Sequence, residues 1–292
     1  MGVVDILYSK GVESFSLSGG EVLLKEGFDS ILRYIRDEGA RKGLDLPIVL
    51  ISNARKMSED YLRLFKELNV HLSMSLPGYE SFQEHTGVDN ADGVLHWFHV
   101  ARNMGLKTTL NVTVTNKNYG ELFRTISLGL INGAEDVLLN RFLPGGRGLK
   151  YMDELRLSPE QVNGMLETAE EVLSYANKRG HVGTEIPFCS INDVEKYKHI
   201  HFGYKCAAAK GFFVVDPAGN IRTCNHSPRI VGHVFEKPMI EEAEYWNLFA
   251  KSDYSPAMCS GCKMTKVCDC GCREVANILH GSPSEKDSSI II

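Results

Sequence analysis

The stretch CSGCKMTKVCDCGC, Cys259 to Cys272, packs five thiols into fourteen residues. Seven of the eight cysteines lie between 206 and 272, spaced Cys206–x12–Gly219–x4–Cys224 and then Cys259–x2–Cys262–x5–Cys268–x3–Cys272, with Cys270 inside the last interval. Three chemistries use thiols at such density: disulfides, a zinc site and an iron–sulfur cluster. A CxxC bend lets two sulfurs face one metal site, and thiolates are the ligands iron–sulfur clusters prefer. A zinc ribbon pairs two CxxC knuckles around one closed tetrahedral site. This chain has one CxxC, and its seven clustered thiols exceed the needs of a single zinc ion. Cys189 stands alone in PFCSI and reads as a small buried hydrophobe.

The rest of the chain narrows the choice. With 292 residues, 43% hydrophobic and 24% charged, it has the composition of a globular protein of one large domain or two ordinary ones. A net charge of −5 offers no basic field for nucleic acid or anionic lipid. No apolar run reaches the roughly 18 residues of a membrane span, and MGVVDILYSKG has neither the parts of a secretory signal nor a myristoylation pattern. A cytoplasmic location is therefore expected. There thiols stay reduced, and clustered cysteines serve as metal ligands more often than as disulfides.

Elements that could position these thiols follow from periodicity. Short β-branched or apolar runs occur at 13–18, 48–53, 71–76, 107–114 and 135–142, separated by segments of helical period. Leu95, Phe98, Ala101 and Met104 mark one helical face; Ser58 or Asp92 could cap an N-terminus, and Gly39, Gly105 and Gly133 fit C-terminal stops. Alternation of strand and helix predicts parallel βα units wound right-handedly. Residues 3–9 read as the tail of a helix with no strand before it, which suggests that a first βα unit is missing. A long helix is expected over 158–178. Beyond about 181 the chain is rich in His, Cys, Pro and Gly, and DPAG in GFFVVDPAGNIRTC predicts a hairpin. The expected domains are thus 1–180 and 181–292, with a frayed tail at 281–292.

The spacing C-x(9–15)-G-x4-C followed by CxxC-x5-C-x3-C resembles the SPASM extension of radical S-adenosylmethionine (SAM) enzymes, which houses auxiliary 4Fe–4S clusters. The resemblance implies that Cys206, Cys224 and Cys272 bind one auxiliary cluster and Cys259, Cys262 and Cys268 a second. Two cysteines usual in that family are missing: one shortly after the first, where Phe212 or a neighbour stands, and one after the CxxxC. Cys270 or Asp269 would complete the second site; otherwise one iron in each cluster is open. SFSLSGGEVLL (14–24) resembles the GGE element of radical SAM barrels, which implies that Gly19, Gly20 and Glu21 hold the methionyl ammonium of SAM. Glycines admit a ligand close to the backbone, and a carboxylate accepts charge-assisted hydrogen bonds. HLSMSLPGYESFQEHTG is similar to the family's fourth-strand segment, with Pro77 where Asp is commonest, and places Ser75 near the SAM carboxylate. NRFLPGGRG (140–148) is similar to the stretch ending the sixth strand, where Arg141 or Arg147 meets substrate or cofactor or is simply solvated.

The family's CxxxCxxC element has no counterpart here, since no cysteine precedes Cys189. The expected fold is α/β: a partial (β/α)6 barrel with its first βα unit truncated, plus a small Cys-rich α+β domain. Truncation or a mis-start implies in-frame codons upstream of Met1 that encode the missing strand and motif. The expected parent activity is radical modification of a peptide or small protein through a 5′-deoxyadenosyl radical, with ferredoxin or flavodoxin as electron donor. The rival expectations are a catalytically degenerate iron–sulfur scaffold or binding subunit, and a zinc-ribbon interaction module. No catalytic residue is assigned.

Overall fold

The computed structural model describes residues 2–287. Its main sheet has seven strands hydrogen-bonded in chain order: β1 (Phe15–Leu17), β2 (Ile48–Ser52), β3 (Val70–Ser75), β4 (Thr108–Val114), β5 (Asp136–Arg141), β6 (Gly180–Val182) and β7 (Ile200–Phe202). The first four are parallel, in a register that sets Leu50 beside Leu72 and Ser75 beside Asn111. Sequential order with parallel pairing requires a crossover between neighbours, and helices Phe28–Arg41, Glu59–Glu67 and Ala91–Asn103 supply the first three. The expected α/β class and its βα units are thus present. A second sheet of three short antiparallel strands, β8 (Val214–Val215), β9 (Asn220–Arg222) and β10 (Gly232–His233), contains the DPAG hairpin. Among the described residues, no helix is long and apolar enough to cross a membrane.

The chain divides into two compact units: residues 1–113, 120–139 and 168–180 form the first, and residues 114–119, 140–167 and 181–292 the second. In the first unit Leu32, Ile35, Leu50, Leu62, Phe65, Leu72, Met74 and Phe98 are essentially inaccessible to solvent. Local chemistry sets its helix ends. Ser58 Oγ accepts from Tyr61 N–H (3.3 Å), satisfying one orphan donor of the helix that follows. Gly133 caps its helix at φ +119°, a left-handed conformation that favours glycine.

Two expectations about helix ends are corrected. Gly39 does not stop a helix; it is buried inside Phe28–Arg41, and a Cβ there would stand 2.8 Å from Tyr8 Oη and 2.9 Å from the Leu44 carbonyl. Close packing therefore excludes a side chain at that position. Asp92 is not a cap either. Asn90 precedes the helix, and Asp92 accepts a hydrogen bond from Tyr79 Oη (2.9 Å).

His71 on β3 lies 2.7 Å from Thr109 Oγ1, and burial lowers its pKa, partly offset by Asp136 and Glu135. The folded state favours the neutral ring, so below about pH 6.5 the unfolded chain takes up the extra proton. Stability held above that pH is lost as pH falls through the folded pKa. Urea midpoints measured from about pH 7 down to about pH 5 should fall, and His71→Gln should flatten that slope. An unchanged slope in the variant would place the acid sensitivity elsewhere.

Candidate functional site

In the first unit, the candidate residues lie at or just beyond the C-terminal ends of parallel strands, where open α/β sheets and barrels place their ligands. Glu21 follows β1 and caps a short 3-10 turn: Oε1 accepts from Leu23 N–H (3.1 Å) and Ser52 Oγ (2.8 Å), and Oε2 from Asn53 N–H (2.7 Å). The carboxylate thus ties the loop after β1 to the end of β2. Four lone-pair sites less these three acceptances leave it capacity for one more donor. A Cβ on Gly19 or Gly20 would meet no heavy atom within 4 Å, and neither has a positive φ, so nothing in the chain's own packing or backbone demands glycine there. Ser75 ends β3, half-buried.

β3 and β4 carry a feature that none of the sequence motifs marks. By strand alternation His71, Ser73 and Ser75 share a face with Thr109, Asn111 and Thr113, while Leu72, Met74, Leu110 and Val112 on the opposite face are fully buried. The polar face is buried at Ser73 and accessible at Thr113. Its signal was present in HLSMSL and KTTLNVTV, whose period-two alternation would not be needed in strands buried among apolar layers on both sides.

The loop after Ser75 is braced by Glu121, which accepts from Glu80 N–H (2.6 Å), Ser81 N–H (3.0 Å) and Ser81 Oγ. A Cβ on Gly78 would stand 2.3 Å from both Glu121 Oε1 and Ser81 Oγ. Gly78→Ala should therefore push the Glu121 carboxylate out of the brace; as Glu121 and Ser81 are half-buried and can turn to water, the cost by urea unfolding should be about 0.5–1.5 kcal/mol, that of a lost hydrogen bond. A midpoint equal to wild type would show that the loop yields without cost.

All eight cysteines are in the second unit, all are free, and seven are sorted into two groups by their electrostatic neighbours, with Cys189 alongside the second. Cys206, Cys224 and Cys272 are buried, and each senses the carboxylate of Glu185, itself shifted upward by burial. Burial pushes the Cys206 and Cys224 thiols up to about 12 and Cys272 well above its ordinary value. Without a cation they are neutral. Their backbone is anchored by buried acids: Cys206 N–H donates to Asp269 Oδ2 and Cys272 N–H to Asp287 Oδ2, each at 2.8 Å.

Cys259, Cys262, Cys268 and Cys270 form the second group, more open to solvent except for buried Cys270. Gly261 at φ +75° turns the CxxC bend, and Cys262 N–H donates to the Cys259 carbonyl (3.0 Å). Two amides point at the Cys268 sulfur: Phe188 N–H (3.5 Å) and Cys270 N–H (3.3 Å). Cys270 stands at φ +58°, and its thiol is raised to about 12 by burial and then by a hydrogen bond with Cys259. Among the described residues, no three His, Cys, Asp or Glu side chains converge as a single metal ion requires.

Several expectations change here. Asp269 is tied to the first group, its Oδ2 accepting from Cys206 N–H (2.8 Å) and Tyr254 Oη (2.9 Å). Cys189 is exposed, not a buried hydrophobe, because it sits on the 3-10 turn Phe188–Ser190 at the surface. Arg141 is neither solvated nor turned to a ligand. It is 2% exposed, donates to the Glu185 carbonyl (3.1 and 2.9 Å) and pairs with fully buried Asp287 at 2.5 Å. The tail is therefore not frayed as far as Asp287; residues 288–292 lie outside the described residues. Arg273, which no motif marks, is fully buried and holds the tail through the Pro283 (3.0 Å) and Glu285 (2.7 Å) carbonyls while donating to those of Cys270 and Gly271.

Residues 2–128 match the family model described as the radical SAM superfamily. The chain is 26% identical to an AdoMet-dependent heme synthase of Methanosarcina barkeri, covering 97% of this chain and 84% of that protein. It is 31% identical to a "Probable GTP 3',8-cyclase" of Metallosphaera sedula, over 47% of this chain and 43% of that one, so this match spans less than half of either. Among solved structures, Streptococcus suis SuiB bound to S-adenosylmethionine superposes with a TM-score of 0.71 at 17% identity, covering 99% of this chain and 68% of SuiB. anSMEcpe with bound AdoMet and Cp18Cys peptide gives 0.70 at 16%, covering 98% and 82%. At such identities the likeness to solved structures is one of fold.

Proposed function

We propose that this chain, which carries a radical SAM domain over residues 2–128, is an iron–sulfur protein of the SPASM type whose second unit holds auxiliary 4Fe–4S clusters. The parent activity in this reading is radical modification of a peptide or small protein, with an electron donor such as ferredoxin or flavodoxin. The observation that carries it is the sorting of seven thiols into Cys206/Cys224/Cys272 and Cys259/Cys262/Cys268/Cys270. A cubane takes each thiolate on a different iron, so its ligands stand further apart than the donors around one zinc. The donor set fits such a group. Amide N–H groups aim at Cys262 and Cys268 sulfurs, and buried Arg141 and Arg273 place positive charge beside thiols that would be anionic when bound.

When bound, an auxiliary cluster held by these cysteines would carry single electrons, accepting them from a substrate as it is oxidised. The chain's own residues have other tasks. Gly19 and Gly20 leave open space against the backbone, Glu21 has room for one further donor such as the methionyl ammonium, and Ser75 offers a hydroxyl at the same sheet edge. Fold neighbours include SuiB solved with its precursor peptide SuiA, which supports the peptide reading. A haem precursor as substrate is a second reading, favoured by the heme synthase match along 97% of the chain.

Anaerobic reconstitution with ferrous iron and sulfide tests the first step. Brown protein with a broad charge-transfer band and several irons per chain is expected; one zinc and no iron would overturn the reading. Titration with a porphyrin, followed by its absorbance, then separates the substrates: tight binding favours the haem precursor and no binding the peptide.

A further inference from the structure

Two tyrosines near the cysteine run have acceptors for their hydroxyls: Tyr245 Oη donates to Glu274 Oε1 (2.8 Å) and Tyr254 Oη to Asp269 Oδ2 (2.9 Å). Tyr204 does not. Its Oη is shielded from solvent and has no hydrogen-bond partner among the described residues. A buried donor left unmade carries its full desolvation penalty, so the position favours an acceptor that the polypeptide itself does not supply. The surroundings say which acceptor. The Tyr204 carbonyl accepts from the N–H of Asp269 (2.9 Å), the residue after Cys268. Its ring packs against Phe188, with centroids 5.2 Å apart, and Phe188 N–H donates to Cys268 Sγ (3.5 Å). Tyr204 therefore meets the Cys268 position through its backbone on one side and through its ring on the other.

We propose that Tyr204 Oη donates a hydrogen bond to the 4Fe–4S cluster of the Cys259/Cys262/Cys268/Cys270 group, at the Cys268 sulfur or an adjoining sulfide, and so raises that cluster's reduction potential. A donor aimed at a cluster sulfur favours the more negative, reduced state. The proton stays on Oη in both oxidation states, and no covalent bond forms or breaks. Burial first, and the Cys268 sulfur second, hold the hydroxyl in its protonated form, the form that can donate. The Phe188 and Cys270 amides act on the same sulfur, but they belong to the backbone. Tyr204 supplies a side-chain donor, which one substitution removes while the ring stays in place.

This rests on the iron–sulfur reading, and the test separates the two. Tyr204→Phe deletes the hydroxyl and keeps the ring against Phe188. Reconstituted full-length wild type and variant are titrated reductively and followed by electron paramagnetic resonance. One cluster midpoint should fall in the variant by about 59 mV, a tenfold change in the oxidised-to-reduced ratio for one electron. The other midpoint and the iron per chain should stay as in wild type. Tyr197→Phe, separated from Tyr204 by the Phe202 ring, should move neither midpoint. Urea unfolding gives an independent sign. In the metal-free protein the Tyr204→Phe midpoint should equal or exceed that of wild type, since an unmade buried donor has gone. After reconstitution it should lie below wild type. A hydroxyl with a structural role alone would shift both forms in the same direction and leave the potentials unmoved, which overturns this inference and leaves the iron–sulfur reading intact. Wild type that retains no iron overturns both.

Discussion

Asp287→Ala is expected to cost about 3–5 kcal/mol of folding free energy in the metal-free protein, the scale for breaking one partner out of a buried ion pair. Asp287 is fully buried and Arg141 is 2% exposed, so the orphaned guanidinium cannot turn to water. It would keep the Glu185 carbonyl and lose its countercharge. The same substitution strips the acceptor from Cys272 N–H, a buried donor whose loss adds its own desolvation penalty. Asp287→Asn separates the two contributions, since an amide oxygen can still accept from Cys272 N–H while the charge is gone. Gly271, at φ +84° and with no room for a Cβ against Asp287 Oδ2 (2.6 Å), shows how tightly the tail is seated on the Cys270–Cys272 turn. Urea titration followed by far-UV circular dichroism provides the measurement. Glu67→Ala, which breaks the exposed Arg33–Glu67 pair, serves as the control expected to change little. Equal midpoints for Asp287→Ala and the control would mean that the buried pair does not hold the tail.

The second large effect is conditional on metal. Cys224→Ala in the metal-free protein removes one neutral buried sulfur and should cost about 1 kcal/mol, close to the loss of a buried methylene. In the reconstituted protein the same change should remove up to about four irons and much of the gain in stability that reconstitution brings, because metal binding and local folding share one free energy. Iron content and urea midpoint, measured on both forms of both proteins, decide the matter. A core cysteine would show the same small loss with and without iron; a ligand shows the large loss only with it. The thiol's upward shift to about 12 sharpens the contrast, since an anionic sulfur in that surrounding needs a cation.

The sequence by itself determined what depends on near neighbours. Strands β1 to β5 all fall within the apolar and β-branched runs or one residue outside them, the Ser58 cap lies where serine meets a helical period, and DPAG turns a hairpin. These outcomes are settled by contacts a few residues apart, and they show in spacing. The thiol pattern was legible for the same reason, as CxxC is a local bend. Tertiary structure decided everything that required a distant partner. Gly39 looks like a helix stop until Tyr8 Oη and the Leu44 carbonyl close over it. Arg141 looks solvated until Asp287, 146 positions later, buries against it. Glu121 has no motif, yet it braces a loop forty residues earlier. Cys189 looks isolated until its turn meets the Cys268 sulfur. A side chain's charge and size are written in its own codon, but the cost of burying it depends on which groups arrive to satisfy it, and only the folded chain chooses those.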